Sequence, residues 1–132
     1  MSILGVGIDI VHIPRLRLIA ERWQDKFLGR VYTEAERSIV RRRAAPYASL
    51  AGRFAAKEAI LKALGTGWSD GISWRDIEVL NDAAGKPVAT VSGKTSALMA
   101  RAGVTEIHLT LAHDTDYAIA QVILTDDGAR RH

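Results

Sequence analysis

The chain has 132 residues, 48% of them hydrophobic and 25% charged, enough to build one domain around its own core, and a second domain is not expected. It contains no cysteine, which excludes a disulfide framework and thiolate metal sites. It also has no apolar run long enough to span a bilayer and no basic-then-apolar leader with a small-residue cleavage site, so a cytoplasmic protein is expected. The net charge is +3, and the positive residues gather at Arg15, Arg17, Arg22, Lys26, Arg30, Arg37 and Arg41-Arg42-Arg43, a clustering that implies an anionic partner.

Ile3 to Val11 reads as an N-terminal strand interrupted by one carboxylate. Strand alternation puts Leu4, Val6, Ile8 and Ile10 on one face and Gly5, Gly7 and Asp9 on the other, leaving room beside Asp9 that an ion or ligand could fill. The competing reading is that Asp9 closes the strand by capping the helix after Pro14. Proline suits a first helical turn, and a helix from Pro14 to about Gln24 would carry Arg15, Arg22 and Lys26 near one another. A further helix is expected around Thr33 to Arg43, opened by a capping box of Thr33 and Glu36.

A long helix from about Ala48 to Leu64 follows. At about 100° per residue, Leu50, Phe54, Leu61 and Leu64 share one stripe, with Glu58 and Lys62 stacked a turn apart on its flank, so the helix reads as amphipathic with a functional edge. A Glu four residues before a Lys is commonly a solvated pair contributing about 0.2–0.5 kcal/mol. Two features argue for more: Lys57 projects into the middle of the apolar stripe, and the helix ends on Gly65-Thr66-Gly67, where backbone could approach a ligand closely.

Asp76 to Asn81 and Lys86 to Val91 read as a hairpin turning at Asp82-Ala83-Ala84-Gly85. Ser92-Gly93 then opens a short helix, Lys94 to Ala102, ended by Gly103. Gly93-Lys94-Thr95 is like the end of a phosphate-binding loop, but the glycine required five positions earlier is Val88, which rejects a nucleotide-hydrolase reading. A last hairpin pairs Ile107–His113 with Tyr117–Leu124 across Asp114-Thr115-Asp116. His113 stands at its mouth, where an imidazole could meet a phosphate or simply be a polar edge residue. The sum is α+β, a single domain of antiparallel strands around a long central helix over residues 1–125, with residues 126–132 as a flexible tail; no internal repeat stands out.

Three segments, Gly5-Val6-Gly7-Ile8-Asp9-Ile10-Val11, Arg53 through Gly67, and Leu111-Ala112-His113 with Tyr117-Ala118, resemble the holo-acyl-carrier-protein synthases in order and spacing. These are the small bacterial 4'-phosphopantetheinyl transferases, and the resemblance runs from Ile3 to about Leu124. It implies transfer of the phosphopantetheine arm of coenzyme A to a serine of apo acyl carrier protein, releasing adenosine 3',5'-bisphosphate, in fatty acid biosynthesis. Such phosphoryl transfer calls for a divalent cation, positive groups on the phosphate oxygens and a proton acceptor.

By the same resemblance, Asp9 and Glu58 match metal-binding carboxylates suited to Mg²⁺. Glu58 or a metal-bound water is then the base, and Lys62 contacts phosphate. Arg53, Gly65, Thr66, Gly67 and His113 complete the coenzyme contacts. The family usually has a serine or threonine where Ala112 precedes His113, so that hydroxyl is missing here. The resemblance further implies a homotrimer with coenzyme A bound between subunits. It also makes the first helix, with Arg15, Arg22 and Lys26, the docking surface for an acidic acyl carrier protein.

Two alternatives of other classes remain at this point. A basic nucleic-acid-binding protein would explain the arginine run, but Trp23, Trp68 and Trp74 are not interleaved with it, and Asp9 with Glu58 would repel a phosphate backbone. A coenzyme A or nucleotide-binding module without turnover would gain little from two carboxylates near a pyrophosphate.

Overall fold

The computed structural model describes residues 1–68 and 71–128. Its centre is a helix that is buried nearly all round. Pro46–Leu64 (α4) has Ala51, Ala55, Ala56, Ala59 and Ile60 fully buried on different sides. Leu50 and Ala51 pack with Ile13, Leu16, Val31, Tyr32, Val40 and Ala118. Farther along, Ala55 to Ala63 pack with Ile77, Val79, Met99, Leu109, Ala120, Val122 and Leu124. The expected single apolar stripe is therefore corrected: Leu50 and Leu61 belong to different clusters. α4 is a core helix whose alanines let neighbours approach, and only Glu58, Lys62 and a few others reach its open edge.

Around α4 the chain runs β1 (Ile3–His12), α1 (Ile13–Trp23), α2 (Asp25–Val31) and α3 (Glu34–Arg41) before it, then a 3-10 turn at Trp74–Asp76, β2 (Ile77–Asn81), β3 (Pro87–Val91), α5 (Gly93–Arg101), β4 (Glu106–His113) and β5 (Tyr117–Thr125). The strands form two antiparallel sheets, β1-β5-β4 and β2-β3. This is the expected α+β architecture. The three-stranded sheet lays one face on α4, while Ile3, Val6, Ile8 and Ile10 on the other are 57–65% exposed.

β1 and α4 touch backbone to backbone. A Cβ on Gly5 would run into the carbonyl of Ala63, and one on Gly7 into that of Ala59. The space beside Gly5 and Gly7 is thus filled by the α4 backbone, and the room expected beside Asp9 opens only past the helix edge, where Asp9 lines a cavity. The glycines serve close helix–strand packing.

Lys57 proves to be structural. Its ammonium is wholly buried and donates to Glu36 Oε1 at 2.8 Å, to Val31 O at 2.7 Å and to Trp74 O at 3.1 Å. Burial pushes its pKa down, and the Glu36 carboxylate works against that. Glu36 also completes the expected capping box with Thr33, and its Oε2 accepts the Val79 N–H at 2.9 Å.

The first helix ends sooner than Lys26. Gln24 takes φ 46° and ψ −124°, breaking the chain into α1 and the unexpected α2, so Lys26 lies on a different helix from Arg15 and Arg22. At the C-terminus, Asp126 is bonded both ways to Ser2, donating to its carbonyl at 3.1 Å and accepting its N–H at 2.8 Å. Residues 129–132 of the expected tail lie outside the described residues. No helix among the described residues is long and apolar enough to cross a membrane.

Replacing Lys57 with Ala leaves the Glu36 carboxylate buried without its cation, and a loss of about 3–5 kcal/mol in denaturant unfolding is expected. Gln24→Gly relieves a backbone conformation that L-residues seldom adopt, and an upward shift in Tm corresponding to about 1 kcal/mol is expected in thermal unfolding.

Candidate functional site

Because its two glycines seat β1 on α4, the strand delivers Asp9 to the edge of that helix. Lys62 Nζ donates to Asp9 Oδ1 at 2.8 Å and to Ile8 O at 3.1 Å. The Asp9 hydrogen bond is the main cause that holds the lysine pKa above its ordinary value; desolvation opposes it, and the charges of Asp9 and Glu58 add smaller support. Asp9 therefore pairs across the fold. It does not cap α1, whose N-cap is His12.

Glu58 sits one turn before Lys62, half-buried. Its Oε1 accepts the indole N–H of Trp68 at 3.2 Å, so the solvated Glu58–Lys62 pair of the sequence reading is replaced by two separate partnerships. Asp9, Glu58, Lys62 and Arg15 line one cavity of about 770 Å³, whose walls include Leu16, Phe27, Phe54 and Tyr117. The result is a charged end opening onto an apolar trough.

Arg53 and His113 are elsewhere. Arg53 is buried in α4 and points the other way, with Nε on Val79 O at 3.0 Å, Nη1 on Ser49 Oγ at 2.7 Å and Nη2 on Asn81 Oδ1 at 2.8 Å. Desolvation lowers its pKa. It lines a second cavity of about 250 Å³ with Arg43, Ser49, Asn81, Ala112 and His113. His113, exposed at the end of β4, is followed by a turn in which Asp114 Oδ1 accepts the N–H of Tyr117 at 2.7 Å and of Asp116 at 2.8 Å. Those bonds hold the Asp114 carboxyl below its usual range.

The residues expected to act together are thus divided, with Asp9, Glu58 and Lys62 at one cavity and Arg53 and His113 at another. Gly65, Thr66 and Gly67 line neither. Gly65 is the left-handed cap of α4, with φ 76°, and Gly67 has φ 58°. Arg22 lies over the ring of Trp23 at 5.2 Å, and Lys26 borders a groove with Ile19, Trp23, Phe27 and Arg30. Ser49 and Asn81 were not singled out by the sequence reading, which named Arg43 within the arginine run and Trp68 among the tryptophans without placing either beside these groups. Of these residues only Arg43 carried a signal, as the end of the arginine run.

No group of three or more His, Asp or Glu side chains among the described residues could hold a metal by itself. A pair of carboxylates on one cavity still suits an ion such as Mg²⁺, which retains waters and takes further oxygens from a bound phosphate.

Comparison with known proteins identifies the family and the fold. A family model described as the 4'-phosphopantetheinyl transferase superfamily matches residues 5–122. A holo-acyl-carrier-protein synthase of Koribacter versatilis is 44% identical over 124 residues, covering 94% of this chain and 99% of the relative. The crystal structure of the synthase from Neisseria meningitidis superposes with a TM-score of 0.87 at 33% identity, covering 95% of this chain and 100% of that one. The Helicobacter pylori synthase, solved in complex with coenzyme A, gives a TM-score of 0.80 at 32% identity, covering 91% and 99%. With a family model over residues 5–122 and a relative at 44% identity across nearly the whole chain, the chain belongs to the 4'-phosphopantetheinyl transferase superfamily, among its holo-acyl-carrier-protein synthases.

Proposed function

We infer that this protein transfers 4'-phosphopantetheine from coenzyme A to a serine of apo acyl carrier protein, and we propose that Asp9, Glu58 and Lys62 carry out the step. The observation that supports this assignment is the meeting of the three side chains at one end of an open trough. The serine hydroxyl oxygen forms a bond to the phosphorus that bears the pantetheine arm. The bond from that phosphorus to the bridging oxygen breaks, and adenosine 3',5'-bisphosphate leaves with the electron pair. Glu58, directly or through a water, takes the serine proton.

Asp9 and Glu58 would hold Mg²⁺, whose charge offsets that of the pyrophosphate. Lys62 is a flexible point charge, with its side chain 55% exposed. It can turn from Asp9 to a phosphate oxygen, neutralising charge there while making Asp9 Oδ1 available to the cation. Lysine is cationic at neutral pH without help, and the hydrogen bond to Asp9 raises its pKa further while the pair is made.

We propose a homotrimer as the working form. Support comes from the bare apolar face of β1, continued by Ile119 of β5, and from the separation of the two cavities. A contiguous apolar patch of this kind marks an interaction surface. Packing it against a second copy would let Arg53 and His113 of one protomer complete the trough of its neighbour. Arg15, Arg22 and Lys26, beside the exposed Leu18 and Trp23, form the proposed docking face for the acidic carrier protein. A cytoplasmic location and a role in fatty acid biosynthesis accompany this reading.

Intact-mass spectrometry of apo acyl carrier protein incubated with coenzyme A, Mg²⁺ and this protein is expected to show the gain of one phosphopantetheine group. The gain should vanish on chelation and fall by at least about a hundredfold in rate with Glu58→Gln. No gain with any of several carrier proteins would overturn the assignment. Ile8→Glu places a charge in the apolar face, and light scattering is expected to show a monomer in place of a trimer, with transfer reduced alongside.

A further inference from the structure

Two tryptophans that follow α4 in the chain, Trp68 and Trp74, lie against that helix. Trp68 donates its indole N–H to Glu58 Oε1 at 3.2 Å. Its ring lies against Trp74, 3.7 Å between centroids, and Trp74 stacks on Phe54 at 4.8 Å. Phe54 and Glu58 are a helical turn apart on α4, so the two indoles cover two successive positions of one helix face. Trp74 is itself fixed, because its backbone carbonyl accepts a hydrogen bond from the buried Lys57 ammonium at 3.1 Å.

An indole N–H on a ring that is 38% exposed can be satisfied by water. Here it goes instead to one oxygen of the carboxylate assigned above to the cation and the serine proton. A glutamate on a helix edge has three side-chain torsions to fix before it can bind anything, and a donor that has already chosen one oxygen removes part of that entropy. Hydrogen-bonded partners of ligating carboxylates orient the ligand and typically contribute about 10–100-fold in metal affinity.

We propose that Trp68 is a positioning residue that holds Glu58 by Oε1, presenting Oε2 to the cation and substrate, with Trp74 and Phe54 as its seat. The proposal rests on the role given to Glu58 under the function above. It adds a residue from outside both cavities, acting through Glu58 rather than on the substrate. Trp68→Phe is the informative variant, since it keeps an aromatic ring to lie against Trp74 while deleting the donor.

Two readouts test it. In ¹⁵N-labelled protein the indole resonance of Trp68 is the one lost in Trp68→Phe. That resonance is expected to move on Glu58→Gln and on addition of MgCl₂ to the wild type, with the Trp23 resonance unmoved, and to ignore MgCl₂ in Glu58→Gln. In the transfer assay, Trp68→Phe is expected to raise the Mg²⁺ concentration for half-maximal rate about 10-fold, with kcat at saturating Mg²⁺ within about twofold of the wild type. A Trp68 resonance indifferent to Glu58→Gln, or an unchanged Mg²⁺ dependence in Trp68→Phe, would overturn the proposal. The indole measurement needs no turnover. A wild type that transfers nothing would therefore defeat the function while a Trp68 signal that still follows Glu58 and MgCl₂ would uphold the positioning role.

Discussion

The buried pair of Glu36 and Lys57 is the joint on which the remaining elements are hung. Between them the two side chains engage five parts of the chain: the cap of α3 through Thr33, the end of α2 through Val31, the 3-10 turn through Trp74, β2 through Val79, and α4 itself. Each charge is desolvated, which is unfavourable, and each is surrounded by partners that compensate it, so the arrangement favours one packing over its alternatives. Among the described residues no buried side-chain nitrogen or oxygen lacks a partner. The pair is linked to the candidate site through Trp74, which accepts from Lys57 and lies against Phe54 and Trp68, the latter the donor to Glu58.

Small residues do the complementary job on the other side of α4. Where Glu36 and Lys57 fasten elements through polar atoms, Gly5, Gly7, Ala59 and Ala63 bring β1 in by removing side chains. The reach of a lysine side chain then suffices for Lys62 to meet Asp9 and the Ile8 carbonyl at once. The chemistry at the helix edge is thus a product of backbone distance. A larger residue at either glycine would move Asp9 before it disturbed Glu58 or Lys62.

Local signals in the sequence were reliable and long-range ones were not. The Thr33–Glu36 box, the turn at Asp82–Gly85 and both hairpins depend on neighbours a few residues apart and were legible, as was the long helix. The burial of α4 on all sides was hidden because its alanines weigh little in a hydrophobic pattern and Lys57 and Arg53 mimic a polar face. α2 was missed because Gln24, which breaks the helix with a positive φ, is not a residue type that announces such a conformation. Asp9, Glu58 and Lys62 were singled out by motif, but the partnership of Asp9 with a lysine 53 positions away is a fact of topology. So is the division of Arg53 and His113 from that group, since both lie in segments that the motif alone treats as one site.

β1 is only one backbone thick, yet it faces two very different neighbours. Asp9 points to the helix, and Ile8 and Ile10, its immediate neighbours in the chain, point outward from the sheet. A pleated strand cannot rotate one row of side chains without turning the other. Whatever settles on the outer row therefore sets the angle at which the carboxylate meets Lys62, and crowding or loosening there is felt within a single peptide unit. Surface drift along this strand is correspondingly constrained: a change that suits an outward contact has to leave the tilt of the plane undisturbed, and a change at the inner row has to preserve the outward shape.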